Sequence, residues 1–212
     1  MSVAQRSDAV RNRQRVLDAA AAAYAEVGPR FGMHDVARRA NVGVGTVYRH
    51  FADREELIDA IARPFFDRTL ELAREAEAEA PAGARFATFL RSFAQAQAEH
   101  GVTGHCAWDS PAAQAVRAEL RVFVAGFLAA DQAAGALRPD LTLEDAAAVL
   151  LTITMLVDAT RDHDAAIWRR HLALVLDGLR PSGARELAAP PVDPAAWDAF
   201  ARARKRDPNG RR

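Results

Sequence analysis

The chain has 212 residues, 50% of them hydrophobic and 7% aromatic, enough for one well-buried core or a small module joined to a larger one. Its 28 basic and 28 acidic residues balance to a formal charge of +0, which excludes an indiscriminate nucleic-acid binder held by bulk charge. The single cysteine, Cys106, excludes an internal disulfide, and the longest mainly apolar run, Val149 to Val157, is interrupted by threonines and far too short to span a bilayer.

No N-terminal stretch pairs a basic region with an apolar signal segment, so a cytoplasmic protein with no membrane partner is expected. The charge is unevenly placed. Residues 1–54 carry nine arginines against five acids (net +4), and residues 55–100 five bases against nine acids (net −4). Residues 101–200 carry eight against thirteen (net −5), and residues 201–212 six against one (net +5). A basic module at the end of an acidic body suits a protein that touches DNA at one end.

Strand signals are nearly absent and helical periodicity runs throughout, which predicts an all-α chain. Val10, Val16, Leu17, Ala20, Tyr24 and Val27 read as one helical face, ended by Gly28-Pro29. A short helix is predicted from about Met33 to Ala40, broken by Asn41, and another from about Val44 to His50. Asp53 reads as the N-cap of the next helix, with Glu55 and Glu56 in the first turn, where the helix dipole favours acids. That helix should run from Arg54 to about Ala80, with Pro64 kinking or splitting it. Further helices are predicted at about 84–100, 111–135, 142–161 and 164–180, punctuated by Gly and Pro. Thr142 has the look of an N-cap, with Asp145 three residues on. After Pro181 the composition turns to Pro, Ala and Arg, which predicts a mostly mobile tail with one short helix near 194–205.

The informative stretch is Met33-His-Asp-Val-Ala-Arg-Arg-Ala-Asn-Val-Gly-Val-Gly-Thr-Val-Tyr-Arg-His-Phe51. Two crossing helices need small apolar groups at their contact. Val36, Ala37 and Ala40 supply them on the first helix, Val42 fills the turn, and Val47 and Phe51 bury the second. Asn41 stands where the chain must turn sharply, and asparagine tolerates that backbone geometry. The exposed side of the second helix then offers Val44, Gly45, Thr46, Tyr48, Arg49 and His50: short groups at its start and donors further along, as a helix lying in a major groove needs. A plainer reading makes Arg38 and Arg39 solvated charges and packs Tyr48 and His50 against the bundle.

Over about residues 10–60 the sequence resembles the TetR family of transcriptional regulators, most specifically in Val42-Gly-Val-Gly-Thr-Val-Tyr-Arg-His-Phe followed by Asp53-Arg-Glu-Glu-Leu57. The resemblance implies an N-terminal three-helix DNA-binding domain with a helix-turn-helix, and a C-terminal helical bundle for ligand binding and dimerisation. It implies phosphate contacts from Thr46, Tyr48 and His50, and from Arg54 where the family usually has lysine. Val44, Gly45, Arg49 and His34 fall at positions that can face base edges. Two departures stand out: Gly32 replaces a Thr or Ser that usually caps the second helix and touches a phosphate, and Asn41 replaces a glycine. Because Val44 and Gly45 carry no polar side-chain group, Arg49 and His34 would carry most of the hydrogen-bonded base readout.

The expected organisation is a DNA-binding domain over 1–53, a ligand-binding and dimerisation domain over 54–181, and a flexible basic tail over 182–212. The bulky groups Phe65, Phe66, Phe86, Phe89, Phe93, Trp108, Phe123 and Phe127 are candidate linings of a mainly apolar pocket, though most read equally well as core. The helices at about 142–161 and 164–180 match the family's dimerisation pair, with Leu150, Leu151, Thr154, Val157, Leu172, Val175, Leu176 and Leu179 as candidate contacts. Two-fold symmetry then predicts a palindromic operator. Partners are thus a double-stranded DNA operator, a second copy of the chain, and a small-molecule effector of unidentified structure.

Other constellations are weak. His100, His105 and Cys106 lack an evident fourth metal ligand, and a lone cysteine is usually inert. His105, Asp109 and Ser110 lack a nucleophile elbow or oxyanion hole. No metal, cofactor or enzyme activity is expected. The function that follows is a ligand-released repressor, with an effector-free regulator or an activator as the alternative. The pattern Thr46-x-Tyr48-x-His50 with Arg54 argues against a bundle whose helix-turn-helix is only structural.

Overall fold

Every regular element of the computed structural model, which describes residues 3–100, 111–181, 187 and 189–206, is helical. The nine α-helices among these residues are α1 (Val3–Val27), α2 (Met33–Arg39), α3 (Val44–His50), α4 (Arg54–Glu79), α5 (Arg85–His100), α6 (Pro111–Ala133), α7 (Leu143–Ala159), α8 (Ala166–Gly178) and α9 (Pro194–Arg206). The boundaries fall close to those the apolar period predicts. Two compact units divide the chain, one within Met1–Arg68 and Glu99–Val116, the other within Thr69–Ala98 and Arg117–Arg212. The division runs inside α4, so the first part of that helix belongs with the N-terminal unit.

The N-terminal unit has its own core. Val16, Ala20, Ala23 and Tyr24 of α1 meet Val36 and Ala37 of α2, Val47 of α3, Phe51, and Leu57 of α4. Tyr24 packs edge-on against Phe31, with ring centroids 6.1 Å apart. Two residues of the expected α1 face lie outside this core: Val10 and Val27 are exposed. Val10 is out of phase with Val16, because six residues at the helical step of about 100° carry it to another side of the helix. Val27 ends α1, where Gly28 at φ 66° turns the chain into a short 3-10 segment.

Pro64 does not split α4, which continues unbroken to Glu79. The C-terminal unit is knit together by buried polar groups as well as by apolar packing. Asp131 of α6 is buried and accepts the backbone N–H of Gly83 (2.7 Å), Arg85 (3.2 Å) and Phe86 (2.9 Å). It thereby satisfies donors that the first turn of α5 cannot satisfy itself. Gln132 ties the next loop down by donating to the carbonyls of Arg138 (3.1 Å) and Leu141 (3.0 Å). Thr142 and Asp145 close a reciprocal capping box on α7, as expected from their spacing. Among the described residues, no helix is long and apolar enough to cross a membrane.

Candidate nucleic-acid interface

The geometry of the turn between α2 and α3 depends on Asn41. Its φ is 51°, in the left-handed region that only Gly, Asn and Asp enter readily. This permits a Schellman ending to α2: the N–H of Val42 donates to the Ala37 carbonyl (3.0 Å) and that of Asn41 to the Arg38 carbonyl (3.2 Å). Arg15 of α1 reaches the same place and donates to the carbonyls of Ala40 and Asn41. A cation is favoured there by the negative end of the helix dipole. Asparagine thus serves in place of glycine, and an arginine from α1 secures the turn.

The far end of α3 is held from α1 as well. Phe51 is buried, and the Arg13 guanidinium lies over its ring, 5.2 Å from the centroid. With Val47 also buried, α3 has one orientation against the core and therefore presents one fixed face. On that face Gly45, Tyr48 and Arg49 are exposed, Tyr48 to 49%, while Thr46 and His50 are half-buried. Val44 also packs partly against the core, so only part of its side chain is open to a base. The His50 ring sits beside Phe51, with centroids 6.4 Å apart. Arg49 lies back along its own helix, donating from Nη2 to Thr46 Oγ1 (2.9 Å) and from Nε to the Gly45 carbonyl (3.3 Å).

His34 and Arg54 are exposed at the starts of α2 and α4. The α2 N-cap, Gly32, supplies no side-chain hydrogen bond, so the departure noted in the sequence leaves that helix start open. Asp53 does cap α4, accepting the Glu56 N–H at 2.8 Å, and Glu56 in turn accepts the Ala52 N–H at 2.6 Å. Phe31, Gly32, Met33, Asp53, Arg54 and Glu55 line one hollow onto which both helix starts open.

Arg38 and Arg39 are engaged elsewhere. Arg38 pairs with Asp35 at 2.8 Å. Arg39 forms a two-pronged pair with Glu26 of α1, at 2.7 and 2.5 Å. The hydrogen bond from Arg39, aided by its charge, holds the Glu26 carboxyl below its ordinary range and raises the guanidinium above its own. Arg39 therefore braces α2 against α1, while Arg38 pairs within its own helix.

The other expected sites are dispersed. Phe65 and Phe66 are buried in the N-terminal unit. Phe86, Phe89, Phe93 and Phe127 are buried in the C-terminal one, where Phe93, Phe89, Phe127 and Phe123 form a ladder of rings with centroids 5.8 to 6.2 Å apart. Phe123 is half-buried. Trp108 lies outside the described residues, as do His105, Cys106, Asp109 and Ser110 and the side chain of His100. Among the described residues, no three His, Cys, Asp or Glu side chains are grouped to hold a metal.

Of the expected dimer contacts, Thr154, Val157, Leu172 and Leu179 are buried within the subunit, and Leu150, Leu151, Val175 and Leu176 are half-buried. Three apolar side chains that the sequence reading passed over are exposed on the same two helices: Met155, Ile167 and Leu174, the last to 62%.

Comparison with known proteins agrees with this geometry. A profile of bacterial regulatory proteins of the tetR family matches residues 16–61, and a profile of the SbtR-like transcriptional regulator C-terminal domain matches residues 80–181. A TetR transcription regulatory protein from Mycobacterium vanbaalenii is 31% identical, with 83% of this chain and 99% of that one covered and a TM-score of 0.50. The TetR transcriptional regulator SCO0520 from Streptomyces coelicolor is 29% identical, covering 80% and 99%, with a TM-score of 0.54. The HTH-type transcriptional regulator SAB2452 from Staphylococcus aureus is 40% identical over 53 residues, which are 24% of this chain and 29% of that protein. The chain therefore spans less than a third of this curated relative, whereas it covers nearly the whole of the two solved structures. The chain belongs to the TetR family of DNA-binding transcriptional regulators.

Proposed function

We propose that two copies of this chain bind a palindromic operator as a repressor, and that a small, mainly apolar effector releases them. The observation that carries the reading is the face of α3, with Tyr48 and Arg49 exposed on a helix whose other side is locked by Val47 and Phe51. On this reading Thr46, Tyr48, His50 and Arg54 hold phosphates, which position the head without reading sequence. Arg49 and His34 hydrogen-bond base edges, and Val44 and Gly45 allow close apolar approach. Residues 1–53 are the DNA-binding domain, 54–181 the sensing and dimerisation domain, and 182–212 a basic tail.

The dimer face is assigned to α7 and α8. Exposed Met155, Ile167 and Leu174 lie on these helices with half-buried Leu150, Leu151, Val175 and Leu176, and apolar side chains left in water favour burial against a second copy. The effector acts by favouring a body conformation in which the two recognition helices no longer fit successive major grooves. A second reading, a regulator without a small-molecule effector, draws on the closely spaced ring ladder of the C-terminal unit. A gel-shift titration against the DNA upstream of the protein's own gene tests the DNA arm. Salt-sensitive binding to a palindrome is the expected result, and its absence from every palindrome there overturns the repressor reading.

A further inference from the structure

We infer that Gln97, Asp158 and Arg161 form the polar anchor of the effector site, and that this anchor takes the hydroxyl group of a small apolar alcohol or phenol. The inference rests on the effector-responsive reading above and adds to it the chemical class of the ligand.

Gln97 is fully buried (0% exposed), on the same side of α5 as Phe86, Phe89, Phe93 and Ala94. It is thus a polar end to an otherwise apolar row. Its amide Nε2 donates to Asp158 Oδ1 at 3.0 Å, and Arg161 Nη2 donates to the same oxygen at 2.7 Å. Arg161 Nη1 also donates to the Ala98 carbonyl at 3.3 Å, so the three side chains meet at the ends of α5 and α7. The neighbours Val157 and Thr160 are buried too.

Gln97 Oε1 and Arg161 Nε are buried in this cluster and have no hydrogen-bond partner among the described residues. Protein interiors leave few such atoms, because an unpaired buried polar group forfeits its hydration without compensation. The two are complementary. Oε1 needs a donor, and the Nε–H needs an acceptor. Both belong to residues that bond the same carboxylate oxygen, which keeps the two groups near each other.

A hydroxyl group answers both needs, donating to Oε1 and accepting from Nε–H. An ether accepts only, and leaves Oε1 unpaired. A carboxylate likewise has no proton for Oε1 and adds negative charge beside Asp158. An ammonium has no lone pair for Arg161 and adds positive charge beside it. The apolar remainder of the ligand then faces the phenylalanine side of α5. Because Asp158 and Arg161 stand at the end of α7, a ligand held there bears directly on a helix assigned to the dimer face.

The test uses the full-length protein and two matched pairs of probes: 4-propylphenol against 4-propylanisole, and 1-octanol against 1-methoxyoctane, with octanoate as the charged control. Binding is read by calorimetry and operator release by fluorescence anisotropy. The phenol and alcohol are expected to bind about tenfold or more tightly than their methyl ethers, reflecting the buried hydrogen bond to Gln97 Oε1 that an ether cannot donate. In Gln97→Leu that preference should vanish while ether affinity changes little. Crystals of the unaltered protein grown with 4-bromophenol, located by its bromine signal, keep the test independent of how the variant folds. They should place the phenol oxygen within hydrogen-bond distance of Gln97 Oε1 and Arg161 Nε. Equal binding within each pair, a preference that survives in Gln97→Leu, no binding by any probe, or a lone water at the anchor in saturated 4-bromophenol overturns the inference. Release of the operator without hydroxyl preference removes the anchor alone. Selective binding without release keeps the anchor and removes the repressor-release reading.

Discussion

Replacing Arg49 with alanine separates a base-reading role from a structural one. In the free protein the guanidinium makes two hydrogen bonds within α3, to Thr46 Oγ1 at 2.9 Å and to the Gly45 carbonyl at 3.3 Å. Arg49 is exposed, and none of the buried head residues depends on it. An exposed substitution of this kind shifts stability by no more than about 0.5 kcal/mol. The effect on DNA is expected to be larger and of a different kind. A bidentate arginine–base contact discriminates by about 1–3 kcal/mol, or about 5- to 150-fold per half-site. The assay is fluorescence anisotropy at one fixed salt concentration, against operators changed symmetrically at single base pairs. The unaltered protein should lose affinity sharply at one position in each half-site, and Arg49→Ala should be indifferent to that position while ranking the others as before. Tyr48→Ala should instead weaken every operator by a similar factor. A uniform loss across the panel for Arg49→Ala would show a phosphate contact, and a fall of several degrees in Tm would show a structural role; either result refutes the assignment.

Three further predictions concern the scaffold. Asp131→Ala leaves three backbone N–H groups at the start of α5 without their acceptor and should destabilise the protein by about 3 kcal/mol or more; urea unfolding within about 1 kcal/mol of the unaltered protein would deny that cap its importance. Glu26 is held below its ordinary pKa of 4.5 by Arg39, so the pair contributes fully above that value and the contribution disappears as pH falls through the lower folded value. The stability gap between the unaltered protein and Glu26→Gln should therefore be constant near neutrality and close in acid, and a gap that persists at pH 2 would locate its origin elsewhere. Leu174→Glu places a charge on a side chain that is already 62% exposed in one subunit, so the subunit fold should survive while light scattering reports monomers; an intact dimer would remove α8 from the interface.

The head of the molecule was legible in the sequence because local rules and packing agree there. Val36, Ala37, Val47 and Phe51 are apolar at helical spacing and are all buried. Asn41 was readable as a turn because few residue types tolerate its φ of 51°. The bracing was not readable. Arg13 over Phe51, Arg15 on the α2 carbonyls and Arg39 on Glu26 each join segments far apart in sequence. An arginine in a helix gives no local sign of whether it points to solvent, to a neighbouring helix or to DNA. Asp131 and Gln97 were missed for the same reason, since their meaning lies in partners 45 to 61 positions away.

The two helices proposed as the dimer face show a different kind of limit. Apolar residues every three or four positions mark a helix as having a wet side and a dry side, but the period does not say which molecule supplies the dryness. On α7 and α8 the strongest apolar positions, Val157 and Leu172, turn inward to their own subunit. Thr154 is also inward, its hydroxyl satisfied by the Leu150 carbonyl at 2.8 Å. The side chains left for a partner are those one step around the helix, Met155 and Leu174, which a single-stripe reading assigns to solvent. A helix that packs on both its own core and a second subunit needs a wide apolar arc, and α7 has one: from Ala146 to Val157 its only polar side chains are Thr152 and Thr154. The width of that arc, more than the identity of any one leucine, is the feature in the sequence that points to a second copy.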